Sequence, residues 1–392
     1  MSALPPTLLQ PPPLEPLTTR LQAWSNINSG SDHLEGLGRM ADALEPALRE
    51  LTPHVERVAL DDAGRLALRA TVRPDARIRF LCSGHYDTVF SADHAFQSAT
   101  LMTPPSRLNG PGVADMKGGI VTMLAALAAF ESTSEATEIG WTVLLTPDEE
   151  TGSAASAPLL QSEATQHDLG LIFEPARESG ATVRSRAATA IYAIEVHGRE
   201  AHAGRNPEDG RNAVTALARL CLEIEALPES IPATLVNIGN FTGGGTVNIV
   251  PDYARAEINA RSLSQEGVDA FDNSISEAVN AINQRDGFQA QLSGGFKSGP
   301  LPHTDRREFL FRELQLCAAD LGHPPLEWVD VSGGSDGNFL HAAGLTVLDG
   351  LGPVGGGLHS TREYVELPTL STAAQRAALL LHRLATKKIT LP

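Results

Sequence analysis

Four short apolar runs constrain the fold of this chain most: residues 78–82, 141–146, 169–173 and 346–348. Helical stretches separate them, the clearest over 116–130, which opens on the flexible pair Gly118–Gly119 and continues in Ala and Leu. Apolar runs alternating with helices indicate a mainly parallel sheet with both faces covered. A chain of 392 residues exceeds one ordinary core, so a second domain is expected.

The pattern changes after about Arg186. Residues 190–197 alternate in polarity, a helix spans 212–227, and strands follow at 235–238 and 254–261. A helix over 268–284 and a strand over 289–292 complete the series. The order strand–helix–strand–strand–helix–strand predicts a small α+β open-faced sandwich inserted in the larger domain. The parallel pattern resumes near Phe309 and closes with a helix over 369–384. The fold class is therefore α/β. A helix-flanked sheet domain takes residues 1–185 and 299–392, and the insert takes 186–298. Residues 1–17 hold many prolines and read as an irregular arm, followed by a helical stretch through Trp24.

The ends of the apolar runs carry the chemistry. The first leads into Ser83-Gly84-His85-Tyr86-Asp87, the second into Pro147-Asp148-Glu149-Glu150 and the third into Glu174-Pro175. The fourth leads into a glycine-rich loop that reaches His359-Ser360. Loops at the carboxyl ends of parallel strands converge on one crevice. Asp115 joins them at the start of the 116–130 helix. Two imidazoles and three carboxylates suffice for two zinc ions if one carboxylate bridges, and uncompensated carboxylates so close together would repel each other. These ligands also accept cobalt or manganese.

Composition removes other classes. The formal net charge is −17 with no run of Lys or Arg, which excludes a nucleic-acid groove. The longest apolar stretch, 120–130, falls short of the roughly 20 residues a bilayer crossing needs. The N-terminal sequence lacks a secretory pattern, and Cys82, Cys221 and Cys317 are scattered without a CxxC pair. A reducing cytoplasm is the expected location.

The segments SGHYDTVF, GPGVADMKGG, TPDEETGS, FEP, GREAHAGRNPEDGRNAV and GLHSTREYV, in this order, resemble the dinuclear-zinc exopeptidases and amidohydrolases. That family includes glutamate carboxypeptidase, acetylornithine deacetylase, succinyl-diaminopimelate desuccinylase and aminoacylase, and the glutamate carboxypeptidase-like branch is the most similar. The resemblance implies a metallopeptidase or amidohydrolase with a two-zinc bridged hydroxide. It assigns His85 and Glu174 to one zinc, Glu150 and His359 to the other, and Asp115 to both. Asp87 would orient the His85 ring and Glu149 would be the general base. His202 would stabilise the oxyanion, often from a partner subunit, which implies a homodimer formed through a dimerisation or lid domain. Asn248 and Arg261 match substrate contacts, and Gly333, Gly334 and Ser335 match a pocket-lining loop. Arg186 also sits where relatives often carry an arginine.

Some relatives place an arginine where this chain reads GGFKSGPLP, with only Lys297 available. Lysine lacks the bidentate fork, so a strict glutamate preference does not follow. The expected substrate is an N-acyl amino acid or small peptide with a free carboxylate. The rivals are an aminopeptidase and a catalytically silent binding protein.

Overall fold

The computed structural model describes residues 5–103 and 106–386. The chain forms two compact units: one takes Met1–Arg184, His303–Asp330 and Ser335–Pro392, the other Ser185–Pro302 and Val331–Gly334. The expected N-terminal arm lies partly outside the described residues; from Leu14 it is already helical.

The first unit begins α1 (Leu14–Ser25), α2 (Leu34–Arg49), β1 (Val55–Ala59), β2 (Leu66–Val72) and β3 (Arg79–His85). It continues β4 (Thr100–Met102), β5 (Arg107–Asn109), α3 (Lys117–Glu131), β6 (Gly140–Thr146), α4 (Ala157–Ala164) and β7 (Leu169–Ile172), and β8 (Thr182–Arg186) runs from the end of this stretch into the inserted unit. The inserted unit supplies β9 (Ala188–His197), α5 (Ala213–Glu225), β10 (Thr234–Gly243), β11 (Tyr253–Ser262), α6 (Gln265–Asn283) and β12 (Gln289–Phe296). The chain then runs α7 (Asp305–Asp320), β13 (Trp328–Val331), α8 (Asp336–Ala342), β14 (Val347–Leu348), β15 (Gly355–Gly356), β16 (Tyr364–Glu366) and α9 (Leu367–Thr386).

The main sheet has the order β1-β2-β6-β3-β7-β14. Strands β6, β3, β7 and β14 are parallel, whereas β2 runs antiparallel to β6 and β1 antiparallel to β2. The expected parallel sheet is thus the centre of a mixed one. A short turn suffices for the β1–β2 hairpin, while every parallel step needs a long crossover. All of β6 and β7 is buried, as strands covered on both faces require.

Helix α3 packs against α9, α1 and β3, with most of its residues buried. A Cβ on Gly119 would come 1.9 Å from the Phe173 carbonyl oxygen, and one on Gly118 would come 2.2 Å from that of Val113. Only glycine permits this approach, so Gly118 lets the helix start meet the loop that carries Asp115 and Gly119 lets it meet the segment that carries Glu174. Burying the Ile120, Leu124 and Leu127 side chains contributes roughly 1.5–3 kcal/mol each.

A second sheet, β15-β16-β5-β4, pairs Tyr364 with Asn109 and Gly355 with Val365. Its strands are too short to show a period in sequence. It nevertheless carries the segment before Asp115 and the segment around His359, and it brings the two together.

In the inserted unit the order β10-β11-β9-β12 is antiparallel throughout. Alternate residues of β9 and β11 are buried in a core with α5 and α6 that includes Tyr192, Ile194, Leu217, Ile258 and Phe271. The loop Val331–Gly334 belongs to this unit, although the sequence places it with the sheet domain. Ala187 N–H donates to the Val331 carbonyl at 3.1 Å, and Arg186 and Arg261 hold the carbonyls of residues 332–334.

The three cysteines are unpaired and buried. Among the described residues no helix is long and apolar enough to cross a membrane.

Candidate metal centre

Each strand end delivers the side chain expected of it. β3 ends on His85, the turn after β6 carries Glu149 and Glu150, and Glu174 follows β7. His359 arrives differently. It does not extend directly from β14 but sits in the turn between β15 and β16. Its backbone has φ 58°, a left-handed conformation that costs roughly 1–2 kcal/mol outside glycine. Strain of this kind persists where surrounding contacts fix it, and it clusters at functional sites.

Asp115 stands between the two imidazoles. Its Oδ1 lies 3.1 Å from His85 Nε2 and its Oδ2 lies 3.3 Å from His359 Nε2. Each imidazole has a second carboxylate, Glu174 Oε1 at 3.5 Å from His85 and Glu150 Oε2 at 3.0 Å from His359. The five side chains thus sort into two triples that share Asp115. The group whose ligand atoms all lie within 4.8 Å of one another, His85, Asp115 and Glu150, takes a member from each triple, so the two sets form one continuous cluster. Two ligands on one tetrahedral zinc, each at about 2.1 Å, are about 3.4 Å apart. The observed 3.0–3.5 Å spacings match that distance, so these donors fit divalent ions.

Asp87 organises the floor of the cluster. Its Oδ1 lies 3.2 Å from His85 Nδ1, which leaves Nε2 facing Asp115. The same carboxylate accepts the backbone N–H of Glu149 and of Glu150, each at 3.2 Å, and the Ser31 hydroxyl at 2.7 Å. One buried acid therefore fixes the first histidine and the turn that carries both glutamates. Asp148 pins the other side of that turn by accepting from Ala155 N–H at 2.7 Å and from the Ser156 hydroxyl.

The charge balance is lopsided. Burial raises the Glu149 carboxyl well above its ordinary range; the His85 ring opposes this, and the charges of Glu174, Glu150 and Asp336 reinforce it. Burial and the neighbouring Asp115 push Glu150 up to about 7, against its hydrogen bond with His359. Hydrogen bonds to Asp115 and Glu150 raise His359 to about 11. Burial disfavours a charged His85 ring, yet Asp115, Asp87 and Glu174 together hold its pKa well above the usual imidazole value. Burial likewise opposes a charged Asp115, but its hydrogen bonds to the two imidazoles hold it well below the carboxylate range. Such a cluster recruits cations, and divalent ions would replace the protons on both rings.

In the inserted unit His202 and Asn248 are exposed, Arg261 is half-buried and Arg186 is buried. His202 is exposed, and its Nδ1 accepts from Gly204 N–H at 3.1 Å. Ala203 N–H donates to the Asn248 carbonyl at 3.0 Å, so His202 and Asn248 share one loop pair. Arg261 donates to the Ser332 carbonyl at 2.8 Å and to Asn259 Oδ1 at 3.1 Å. Arg186 donates to the carbonyls of Gly333 and Gly334 at 3.3 and 3.1 Å. In the first unit, Ser335 caps α8: its hydroxyl accepts from Gly337 N–H at 3.1 Å and donates to Asp349 at 2.8 Å.

Three buried groups near the cluster have no catalytic or metal-binding role assigned to them by the sequence. Asp336 accepts from the Thr146 hydroxyl at 2.7 Å and the Ser153 hydroxyl at 2.6 Å, and burial pushes it up to about 6. Lys117 donates to the carbonyls of Trp24 at 3.2 Å and Ile27 at 2.8 Å, and burial lowers it to about 7. Glu363 is buried under the loop that leads to Asp115. All three lie inside the motifs or next to them. For Lys117 and Asp336, a charged residue beside glycines was the available clue.

The model of peptidase family M20/M25/M40 matches residues 81–383. Carboxypeptidase G2 of Pseudomonas sp. (strain RS-16) is 27% identical over 386 residues, covering 94% of this chain and 89% of that protein. The succinyl-diaminopimelate desuccinylase of Methylococcus capsulatus is 30% identical over 361 residues, covering 86% of this chain and 92% of that protein. Among solved structures, an aminopeptidase from Bacillus cereus ATCC 10987 superposes with a TM-score of 0.77 at 21% identity. That alignment covers 95% of this chain and 99% of the other, and at this identity it speaks for the fold alone. The family match runs from the middle of β3 into α9, through every strand end that carries a cluster residue. The chain therefore belongs to peptidase family M20/M25/M40 and is a metal-dependent hydrolase of the peptidase and amidohydrolase type.

Proposed function

We propose that this protein hydrolyses the amide bond of an N-acyl amino acid or small peptide bearing a free carboxylate. The observation that carries the reading is the sharing of Asp115 between two imidazole–carboxylate pairs. His85 and Glu174 would hold one divalent ion, His359 and Glu150 the other, and Asp115 both. Zinc suits this donor set, and cobalt or manganese are alternatives. When bound, the ions polarise the scissile carbonyl and lower the pKa of a water toward about 7.

Glu149 is the general base. Its Oε2 lies 3.9 Å from His85 Nε2, beside the cluster and outside either triple. Glu149 takes the proton from the attacking water and returns it to the departing amine. Asp87 keeps the His85 ring in the tautomer that presents Nε2. His202 donates through Nε2 to the oxygen that becomes negative, since Nδ1 already accepts from Gly204. Asn248 and Arg261 contact the substrate. The turn Gly333–Gly334–Ser335 lines its pocket through backbone groups, since the Ser335 hydroxyl is engaged in the cap.

The inserted unit is the dimerisation or lid domain of a homodimer. Its β10 is a ten-residue edge strand that exposes Leu235 and Phe241, and the adjacent α5 exposes Leu222. Such an edge is a template for pairing with a second copy. Light scattering on the purified protein tests this, and a monomer at micromolar concentration would sink it.

The deciding experiment is a panel of N-acyl amino acids and dipeptides, with and without added zinc. Hydrolysis of N-blocked substrates supports the proposal. Turnover confined to peptides with a free α-amino group would favour an aminopeptidase instead.

A further inference from the structure

Glu363 follows His359 by four residues, is 1% exposed, and plays no part in the chemistry above. Its carboxylate accepts three backbone hydrogen bonds from a single loop. Gly112 N–H reaches Oε2 at 3.1 Å, while Ala114 N–H and Asp115 N–H reach Oε1 at 2.9 and 3.1 Å. Convergent N–H groups of this kind form an anion-binding nest, and here the chain fills it with its own side chain.

The backbone of Glu363 holds the same loop from its other end. Its carbonyl accepts from Gly110 N–H at 3.3 Å and from Asn109 Nδ2 at 2.6 Å. Its own N–H donates to the Ser360 carbonyl at 3.0 Å, closing the turn that directly follows His359. One residue therefore fastens two segments that lie far apart in sequence. Those segments carry the acid shared by both imidazoles and the imidazole in the strained left-handed conformation.

A buried carboxylate is a costly way to close a loop unless its charge is used. Glutamine has the same size but only one acceptor oxygen. In this nest its amide would set a donor against a backbone donor, leaving Gly112 N–H or the Ala114 and Asp115 pair unsatisfied.

We infer that Glu363 is a positioning residue that sets the Asp115 carboxylate in register between His85 and His359 and thereby controls affinity for the paired divalent ions. The inference rests on the metal assignment proposed above. Shells around metal ligands typically govern affinity by about 10–100-fold.

The test is titration of metal-free protein with zinc and with cobalt, following heat and the visible cobalt spectrum. Glu363→Gln should bind at least one ion about tenfold more weakly and alter the cobalt bands. Glu363→Asp, which keeps the charge, should recover part of the loss. Glu366→Gln, which removes the Arg107 partner on the same hairpin, should match wild type. Glu363→Gln affinity within twofold of wild type, with an unchanged cobalt spectrum, overturns the inference.

If Glu363→Gln fails to fold, hydrogen exchange on metal-free wild type decides. The amides of Gly112, Ala114 and Asp115 should be protected as strongly as those of β3, and free exchange there overturns the inference. Wild type that binds no divalent ion removes the metal assignment and this inference together. Equal binding by wild type and Glu363→Gln removes only this inference.

Discussion

Of the three histidines proposed for the site, the two outside the β15–β16 hairpin, His85 and His202, are held in opposite ways. His85 is 1% exposed and meets the acidic side chains of Asp87, Asp115, Glu149 and Glu174 within 3.9 Å. His202 is exposed, and its ring accepts a local hydrogen bond from Gly204 N–H. The first environment is complete within its own unit, where burial strengthens every electrostatic contact. The second gains meaning only when a substrate or another subunit meets it. Changes around His85 should therefore act on metal and chemistry directly, and changes around His202 should spare the metal.

The largest expected effect lies in the buried cluster. Glu149→Ala should lower kcat by about 10³–10⁴-fold, toward the upper end for a general base, while metal content stays near two ions per chain. Steady-state kinetics with elemental analysis checks this, and retained turnover would remove Glu149 from the mechanism. For the exposed side, His202→Ala should cost about 10²–10³-fold in kcat at unchanged metal content. If His202 acts from a partner subunit, mixing His202→Ala with Glu149→Ala chains should restore part of the activity. No recovery after verified subunit exchange would confine His202 to its own chain.

A smaller test concerns the buried acid behind the cluster. Asp336 is raised from 3.8 to about 6, chiefly by burial, so the folded state favours its protonated form. The stability this contributes is full below the unfolded value and fades as pH rises through the folded one. In metal-free protein, Tm of Asp336→Asn should gain on wild type between about pH 4 and pH 6 and then hold a constant lead. A gap independent of pH would show that the carboxyl titrates normally.

The smallest expected effect separates packing from recognition in the glycine-rich turn. Ser335→Ala removes a helix cap and should cost about 1 kcal/mol of stability, with KM nearly unchanged. A tenfold rise in KM would mean that the hydroxyl touches substrate.

Legibility in the sequence followed element length and burial. β6, β7, α3, β9 and α6 show a period or an unbroken apolar run, and each lies where the sequence places it, give or take a few residues. α2 (Leu34–Arg49) went unread despite its amphipathic pattern, and so did the antiparallel β1–β2 flank, which shares the alternating signal of any half-buried strand. The hairpin β15–β16 was illegible because strands of two and three residues have no period. Asp87 was read as a partner of His85, but its hold on Glu149 and Glu150 runs through backbone N–H groups that residue identity does not reveal.

By itself the sequence determined the parallel core, the order of elements in the insert and the identities of the acids and imidazoles at the strand ends. Apolar periodicity fixes which segments are buried, and the carboxyl ends of parallel strands share one edge. Only the tertiary structure decided how those groups divide into two sets around Asp115, why His359 comes from a hairpin and how Glu363 ties that hairpin to the Asp115 loop. These are distances between residues up to 251 positions apart, set by strand register and backbone hydrogen bonds. No local pattern encodes them.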